Sequence, residues 1–298
     1  MRDDSEYEQD IIEIADFMGE PEALRQPMVT IEPTGIDERG KSLNGKVALI
    51  TGGGSGLGLA YARAMAQLGA HVAIASRDHR KLQEAVDLIK GEGGDATAFT
   101  MNLLKPESIH QAVNAIESSI GPIDILINNA GIGGRVEPWY KAVNSGRWKK
   151  IMRTNYHGTF YCTGVVCERM HLRNRGCIVN IASSTVVSRP SNLGIYAYSK
   201  WKIVEMVQIV APALNAAGLR IFAVHPGTVR TPMTESMLKS ERGEKLPLLR
   251  HIFETHQDMP EEVSAELILY IVSGAVDHLS GKFLCRKEGT VTGITRGL

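Results

Sequence analysis

Strand-like and helix-like segments alternate from residue 43 to residue 298, which predicts an α/β fold: one doubly wound domain with a seven-stranded parallel sheet and helices on both faces. The strand segments are continuous apolar runs rather than polar–apolar alternations, the pattern of strands covered on both sides. A glycine-rich turn leads from the first run straight into a helix-period segment, and in such folds a site forms at the carboxyl ends of the strands.

Taken in order, the runs lie at 47–51, 72–76, 96–100, 123–127, 178–181 and 221–225, with a seventh around 282–285 after Ser280-Gly281. Residues 59–68 have helical period and stop at Gly69. Pro212 falls inside the helix that begins near Tyr196; it removes one backbone hydrogen bond and is expected to kink the last turns. Residues 1–42 precede the first run as an acidic extension, irregular through Pro27, Pro33 and Gly35. Within it Ile11, Ile12, Ile14, Phe17 and Met18 have the spacing of a short amphipathic helix.

A chain of 298 residues buries a large core as one domain. Its 33 Lys and Arg balance 33 Asp and Glu, so no net charge draws it to nucleic acid or an anionic membrane, and neither is expected as a partner. Cys162, Cys167, Cys177 and Cys285 show no C-x-x-C spacing and are expected as free thiols in a reducing compartment. No stretch approaches the roughly 20 apolar residues of a membrane span, and the start is acidic; a cytoplasmic location is expected. The nine histidines are scattered, and His251 with His256 lacks the i, i+4 spacing of a helical zinc pair, so no metal is expected.

Tyr196 and Lys200, four residues apart, stack a phenol and an ammonium on one helix face. The charge favours the phenolate, so the pair is expected to bring the tyrosine's pKa down toward an acid–base catalyst's range. Far upstream, Thr51-Gly52-Gly53-Gly54-Ser55-Gly56-Leu57-Gly58 follows a strand and opens a helix. Glycines there let the backbone approach a pyrophosphate, and the helix start offers it unpaired N–H groups.

The spacing of that turn, T-G-x-x-x-G-x-G, is the first of five ordered marks. Asn128-Asn129-Ala130-Gly131 follows the fourth run, then come Asn155 in Arg153-Thr154-Asn155, Ser183 behind the fifth run, the Tyr196/Lys200 pair, and Pro226-Gly227-Thr228-Val229-Arg230-Thr231-Pro232. With these marks the chain resembles the short-chain dehydrogenases/reductases over roughly residues 43–289, and the fold the resemblance implies is Rossmann-like.

The resemblance implies an enzyme that interconverts a secondary alcohol and a ketone by hydride transfer. Tyr196 would be the acid–base, Lys200 would hold the nicotinamide ribose, Ser183 would bond the substrate carbonyl, and Asn155 would anchor a water chain to Lys200. The family's serine lies thirteen residues before the tyrosine, which selects Ser183; Ser184 is the alternative if the loop 185–195 shifts the register. Gly52, Ser55, Gly56, Leu57 and Gly58 would cradle the cofactor's pyrophosphate, with Asn129, Ala130 and Gly131 beside it. Asn102 and Leu103 stand where the family commonly has Asp-Val against adenine. Val229 and Thr231 would hold the carboxamide, with Pro226 and Gly227 shaping the turn.

Cofactor choice falls at Ser76-Arg77, the end of the second strand. An acidic residue there would bond both ribose hydroxyls of NAD(H), whereas a guanidinium grips a 2′-phosphate bidentately, and Arg80 and Lys81 add positive charge. NADP(H) is therefore expected. The alternatives are the same chemistry with NAD(H), or a dinucleotide-binding regulatory protein without turnover. Residues from about 232 to 260 would close over the substrate as a lid; Met233, Met237, Leu238, Leu246, Leu248, Leu249, Ile252 and Phe253 suit a bulky hydrophobic alcohol or ketone. Trp139, Tyr140 and Trp148 lie after Gly133-Gly134, beyond the fourth run, and Arg189 is expected at the surface. A homo-oligomer, tetramer or dimer, is implied by the resemblance alone.

Overall fold

Eight parallel strands form one sheet in the computed structural model, which describes residues 28–33, 43–239 and 243–286. They are β1 (Val29–Ile31), β2 (Val47–Thr51), β3 (His71–Ser76), β4 (Asp95–Thr100), β5 (Ile123–Asn128), β6 (Gly176–Ile181), β7 (Leu219–His225) and β8 (Phe283–Arg286). Their order across the sheet is β1-β8-β7-β6-β5-β2-β3-β4. The chain lays down β2, β3 and β4 outward to one side, then returns to β5 on the other side of β2. That reversal opens a crevice at the strand ends between β2 and β5.

Helices cover both faces. Those preceding the sheet's midpoint are α1 (Gly56–Gln67), α2 (His79–Gly91), α3 (Pro106–Ser119), α4 (Trp139–Asn144), α5 (Arg147–Met152) and α6 (Gly158–His171). After β6 come α7 (Thr185–Ser188), α8 (Gly194–Ala216), α9 (Pro232–Leu238), α10 (Pro247–Glu254) and α11 (Glu261–Val272). β2 shows why both faces must be covered: Ala48 and Ile50 pack with Met65 of α1, Leu82 of α2 and Ile268 of α11, while Val47 and Leu49 pack with Ile109 of α3, Val166 of α6 and Val207 of α8. Each fully buried side chain of this size is worth about 1.5–3 kcal/mol, so exposing either face is prohibitive. α2 starts where Asp78 accepts a hydrogen bond from the Lys81 N–H, and α3 starts on Pro106.

The sheet has eight strands where the sequence predicts seven. The extra one, β1, lies inside the segment expected to be irregular, and it pairs in parallel with β8, Val29 opposite Leu284. Three residues carry no periodic signal; their order comes from the hydrogen bonds β8 offers, and a short strand is a safe edge for a sheet. β8 itself is displaced by one residue from the expected run, starting at Phe283. The helix expected at residues 11–18 lies outside the described residues. α8 continues past Pro212 to Ala216.

Candidate active site

A cavity of about 550 Å³ occupies the crevice at the strand ends. The turn after β2 forms its phosphate-sized end. Gly52 and Gly56 have φ of +70° and +52°, which glycine adopts without strain. Ser55 stands at the N-cap of α1 and makes no side-chain capping bond, and Ser55, Gly56 and Leu57 at this helix start line the cavity. Gly58 does not line it. A Cβ there would lie 2.3 Å from the Gly52 carbonyl oxygen, so Gly58 lets the turn pack on its helix.

The Asn128–Gly131 segment is tied to this turn by Thr51, whose hydroxyl accepts from the Asn129 and Ala130 N–H groups, each at 3.1 Å. Asn129 donates its amide to the Thr51 and Gly52 carbonyls (3.1 and 3.4 Å), so its side chain holds the two loops together on the cavity wall. At the end of β3, the Ser76 hydroxyl accepts from the Asp78 N–H at 3.2 Å. Arg77 is exposed, lines the cavity and makes no ion pair among the described residues. Asn102 and Leu103 line the wall after β4, and Asn102 Oδ1 accepts from the Leu104 N–H at 3.0 Å, which leaves its amide N–H groups to donate.

Asn155 is fully buried in a single π-helical turn, Arg153–His157, set between α5 and α6. Its side chain exchanges two hydrogen bonds with the Ile132 backbone (2.8 and 2.9 Å) and donates to Ser199 at 3.1 Å. It therefore stands behind the wall rather than on it. The space between Asn155 and Lys200 is held open by Gly131, whose added Cβ would sit 3.4 Å from Asn155 Oδ1 and 3.6 Å from Lys200 Nζ.

Ser183, Tyr196 and Lys200 come together on one side of the cavity. The Ser183 hydroxyl is close enough to the Tyr196 phenol to favour its charged form, which separates Ser183 from Ser184. Lys200 donates to the Ile181 carbonyl at 2.7 Å, and its Nζ lies 5.9 Å from the Tyr196 ring centre. The lysine spacing does not by itself single out Tyr196, because Tyr198 has Lys202 four residues on. The structure separates them: Tyr198 is outside the cavity lining and 47% exposed, stacked near Trp201.

The expected lowering of the tyrosine pKa by Lys200 is not what the protein alone produces. Burial raises the Tyr196 phenol above its ordinary value, opposed by the Ser183 hydroxyl. Burial also pulls the Lys200 amine down to about 8. Desolvation disfavours both charged forms, and here it outweighs the attraction between them.

The other end of the cavity is apolar. Met233, Met237, Leu246, Leu248, Leu249 and Ile252 of the expected lid line it, and Met237 packs with Val136 and Leu193 of the body. Leu238 and Phe253 do not line it; Phe253 is buried under the Arg230 guanidinium, 4.3 Å from its ring centre. Trp139, Tyr140 and Trp148 also lie outside the lining. Arg189 is exposed, as expected. Pro226, Gly227, Val229 and Thr231 line the wall after β7, and the Thr231 hydroxyl caps α9 by accepting from the Thr234 N–H. Thr51, Ser199, Thr185 and His225 take part without having been singled out from the sequence. Thr51 and Ser199 lie inside motifs, whereas Thr185 and His225 carry no motif signal. Among the described residues, no group of His, Cys, Asp and Glu is placed to hold a metal, and no helix is long and apolar enough to cross a membrane.

The short chain dehydrogenase family matches residues 46–242. The chain is 30% identical to a 2,3-dihydro-2,3-dihydroxybenzoate dehydrogenase of Bacillus subtilis (strain 168), covering 85% of this chain and 99% of that one. It is 31% identical to a cyclohexanol dehydrogenase of Acinetobacter sp. (strain SE19), covering 80% and 92%. A crystal structure of an actinorhodin polyketide ketoreductase variant with NADPH superposes with a TM-score of 0.74 at 26% identity, covering 83% of this chain and 97% of that one. The glycine turn, the buried Asn155 and the Ser183–Tyr196–Lys200 cluster thus sit in a chain of matching sequence and fold: this protein belongs to the short-chain dehydrogenases, oxidoreductases acting on CH–OH groups.

Proposed function

We propose that this chain interconverts a secondary alcohol and a ketone with NADP(H), and that Asn155, Ser183, Tyr196 and Lys200 carry the chemistry. The observation that carries the reading is the convergence of Ser183, Tyr196 and Lys200 on one cavity wall, with the Lys200 amine held by the Ile181 carbonyl. When bound, the nicotinamide supplies or accepts the hydride. Tyr196 gives its phenolic proton to the ketone oxygen during reduction, or takes the alcohol's proton during oxidation. Ser183 donates to that oxygen and stabilises charge developing on it. Lys200 holds the ribose side, and its ammonium lowers the cost of a phenolate at Tyr196. Asn155 fixes the Ile132 backbone and leaves the space at Gly131 for a water chain.

The turn residues Gly52, Ser55, Gly56 and Leu57 would hold the pyrophosphate, Asn102 and Leu103 the adenine end, and Ala130 and Gly131 the ribose side. Val229 and Thr231 would hold the carboxamide. The preference for NADP(H) rests on Arg77, a guanidinium at the cavity edge without an ion-pair partner among the described residues. Residues 43–298 would form the catalytic domain, with about 232–260 as its lid; the apolar lining from α9 and α10 supports a bulky hydrophobic substrate. A cytoplasmic homo-oligomer completes the proposal. Exposed Phe160 and Tyr161 of α6 and Tyr198 and Ile209 of α8 support self-association.

Fluorescence titration with NADPH and NADH, on the wild type and Arg77→Ala, tests the cofactor. Tighter NADPH binding that Arg77→Ala abolishes is expected; tighter NADH binding overturns the preference. Turnover lost in Tyr196→Phe with cofactor affinity kept is expected, and turnover untouched by that change sinks the tyrosine mechanism. Cofactor binding without turnover of any alcohol or ketone would mark a regulatory protein.

A further inference from the structure

The loop that leaves β5 is held at both ends by side chains of one helical stretch, α5 and the π turn that continues it. At its start, Asn155 exchanges hydrogen bonds of 2.8 and 2.9 Å with the Ile132 backbone. At its far end, Arg147, the first residue of α5, forks onto the Glu137 carboxylate. Its Nε and Nη2 donate to Oε1 at 3.1 and 2.9 Å, and Nη2 also donates to Oε2 at 2.7 Å. Glu137 is buried, 8% exposed, whereas the Arg147 side chain stays partly in solvent. Burying a carboxylate is costly unless it is paired, and a forked guanidinium pairs it in one fixed geometry.

Between these anchors the loop meets the lid and the helix of Tyr196. Buried Val136 packs in one cluster with Leu193, just before α8, and Met237 of α9; Tyr196, Met233 and Leu246 lie against that cluster. A Cβ added at Gly133 would lie 2.7 Å from Met237 Sδ, so this lid methionine rests directly on the loop backbone. The Glu137 N–H donates to the Asn192 carbonyl at 2.8 Å, which ties the same point to the segment leading into α8. Val136, Glu137 and Arg147 do not line the cavity. They stand behind Met233, Met237, Leu246 and Tyr196, which do.

We infer that Arg147 and Glu137 are a positioning pair for the substrate. Their ion pair fixes Val136 and Gly133 as the seat on which the lid methionines rest, and so sets the apolar wall beside Tyr196. What it positions is the contact with the apolar body of the alcohol or ketone. The dinucleotide end is held separately, by Thr51 and Asn129. Removing the clamp loosens that apolar contact while Tyr196 keeps Ser183 and Lys200 beside it, so KM rises and kcat is kept. This inference rests on the oxidoreductase reading above.

The test is a double-mutant cycle on the oxidation of cyclohexanol or cyclopentanol, whichever turns over faster. It is run at saturating NADP+ or NAD+, whichever binds more tightly, and well below the Tm of every variant. Glu137→Gln, Arg147→Ala and the two together are compared with wild type, and NADPH affinity is read by fluorescence in each. KM is expected to rise about tenfold in each single variant and no further in the double, with kcat within about twofold and NADPH affinity unchanged. Arg147→Lys, which keeps the charge and loses the fork, should recover only part of the loss. A fall in kcat at unchanged KM, or KM effects that multiply in the double variant, overturns the positioning role while the oxidoreductase reading stands. Glu137→Gln keeps the size of the buried side chain, so an unchanged KM there overturns the role even if Arg147→Ala does not fold. Turnover of neither alcohol by wild type that binds the dinucleotide overturns both.

Discussion

Two glycines near the cofactor end of the cavity serve different ends, and alanine at each separates them. At Gly58 an added Cβ would lie 2.3 Å from the Gly52 carbonyl oxygen and 2.5 Å from Asn129 Nδ2. To restore ordinary contact the turn must retreat by roughly 1 Å, the kind of overpacking that costs about 1–3 kcal/mol. Retreat also loosens the two bonds from Asn129 to Thr51 and Gly52, each worth about 1 kcal/mol. The gain of about 1 kcal/mol from replacing a helical glycine does not offset this. At Gly131 the new methyl would meet Asn155 Oδ1 at 3.4 Å and Lys200 Nζ at 3.6 Å, distances the fold accepts, and φ there is not positive. Its methyl, however, fills the gap between the amide and the amine. Gly58→Ala should therefore lower Tm by about 2–8 °C and weaken NADPH binding, because each kcal/mol moves a domain of this size by about 2–4 °C. Gly131→Ala should leave Tm within about 2 °C and still lose cofactor affinity and turnover. Calorimetry paired with NADPH fluorescence titration reads both. Equal Tm losses in the two variants, or a Gly58→Ala protein as stable as wild type, would refute the reasoning.

Other expectations follow from burial. His225 titrates near 4 when folded, against about 6.5 when unfolded, so the unfolded chain takes up a proton the folded one refuses. Stability should fall by about 3 kcal/mol as pH drops from about 6.5 toward 4, and urea midpoints of His225→Leu should lack that part of the decline. At the alkaline end, Cys162 and Cys177 are pushed up to about 12 and Cys167 to about 11. Each folded thiol keeps a proton that the unfolded one loses from about pH 9, so stability drains above that pH by about 1.4 kcal/mol per unit per thiol. Lys200, at about 8 when folded, opposes with one slope of the same size up to its unfolded value. Three slopes exceed one, so the Tm should decline above pH 9, less steeply in Cys167→Ser; an identical slope would argue against it. Ile209, 72% exposed on α8, should hold a subunit contact, and Ile209→Lys should reduce the mass seen by light scattering.

The long apolar runs gave the inner strands away because a strand buried on both faces has nowhere to place a polar residue. β1 had no such signature: Val29–Ile31 is too short for any period, and its order is lent by β8. The spacing of the cysteines suggests no disulfide, and none joins any of the four, of which Cys162 and Cys285 are buried. The catalytic helix shows where reading stops. Tyr196 and Tyr198 each precede a lysine by four residues, yet positions two apart on a helix point about 200° away from one another. One faces the cavity and the other solvent, and only the phase of α8 against β6 decides which.

Electrostatics and hydrogen-bond bookkeeping run further from the letters than packing does. A lysine beside a tyrosine promises a lowered phenol pKa, but the promise holds only where water or charge offsets the desolvation of both; with each group buried, the phenol moves up and the amine moves down. Asn129 and Asn155 carry the same argument for amides. Their residue type says that they can bond a cofactor or a water, but the Thr51, Gly52 and Ile132 backbones have already claimed them. On the cavity wall, Arg77 makes no ion pair among the described residues, and Asn102 keeps its amide N–H groups to donate. Because the Asn129 and Asn155 amides are spoken for by the fold, the proposed choice of cofactor turns on Arg77 and not on them.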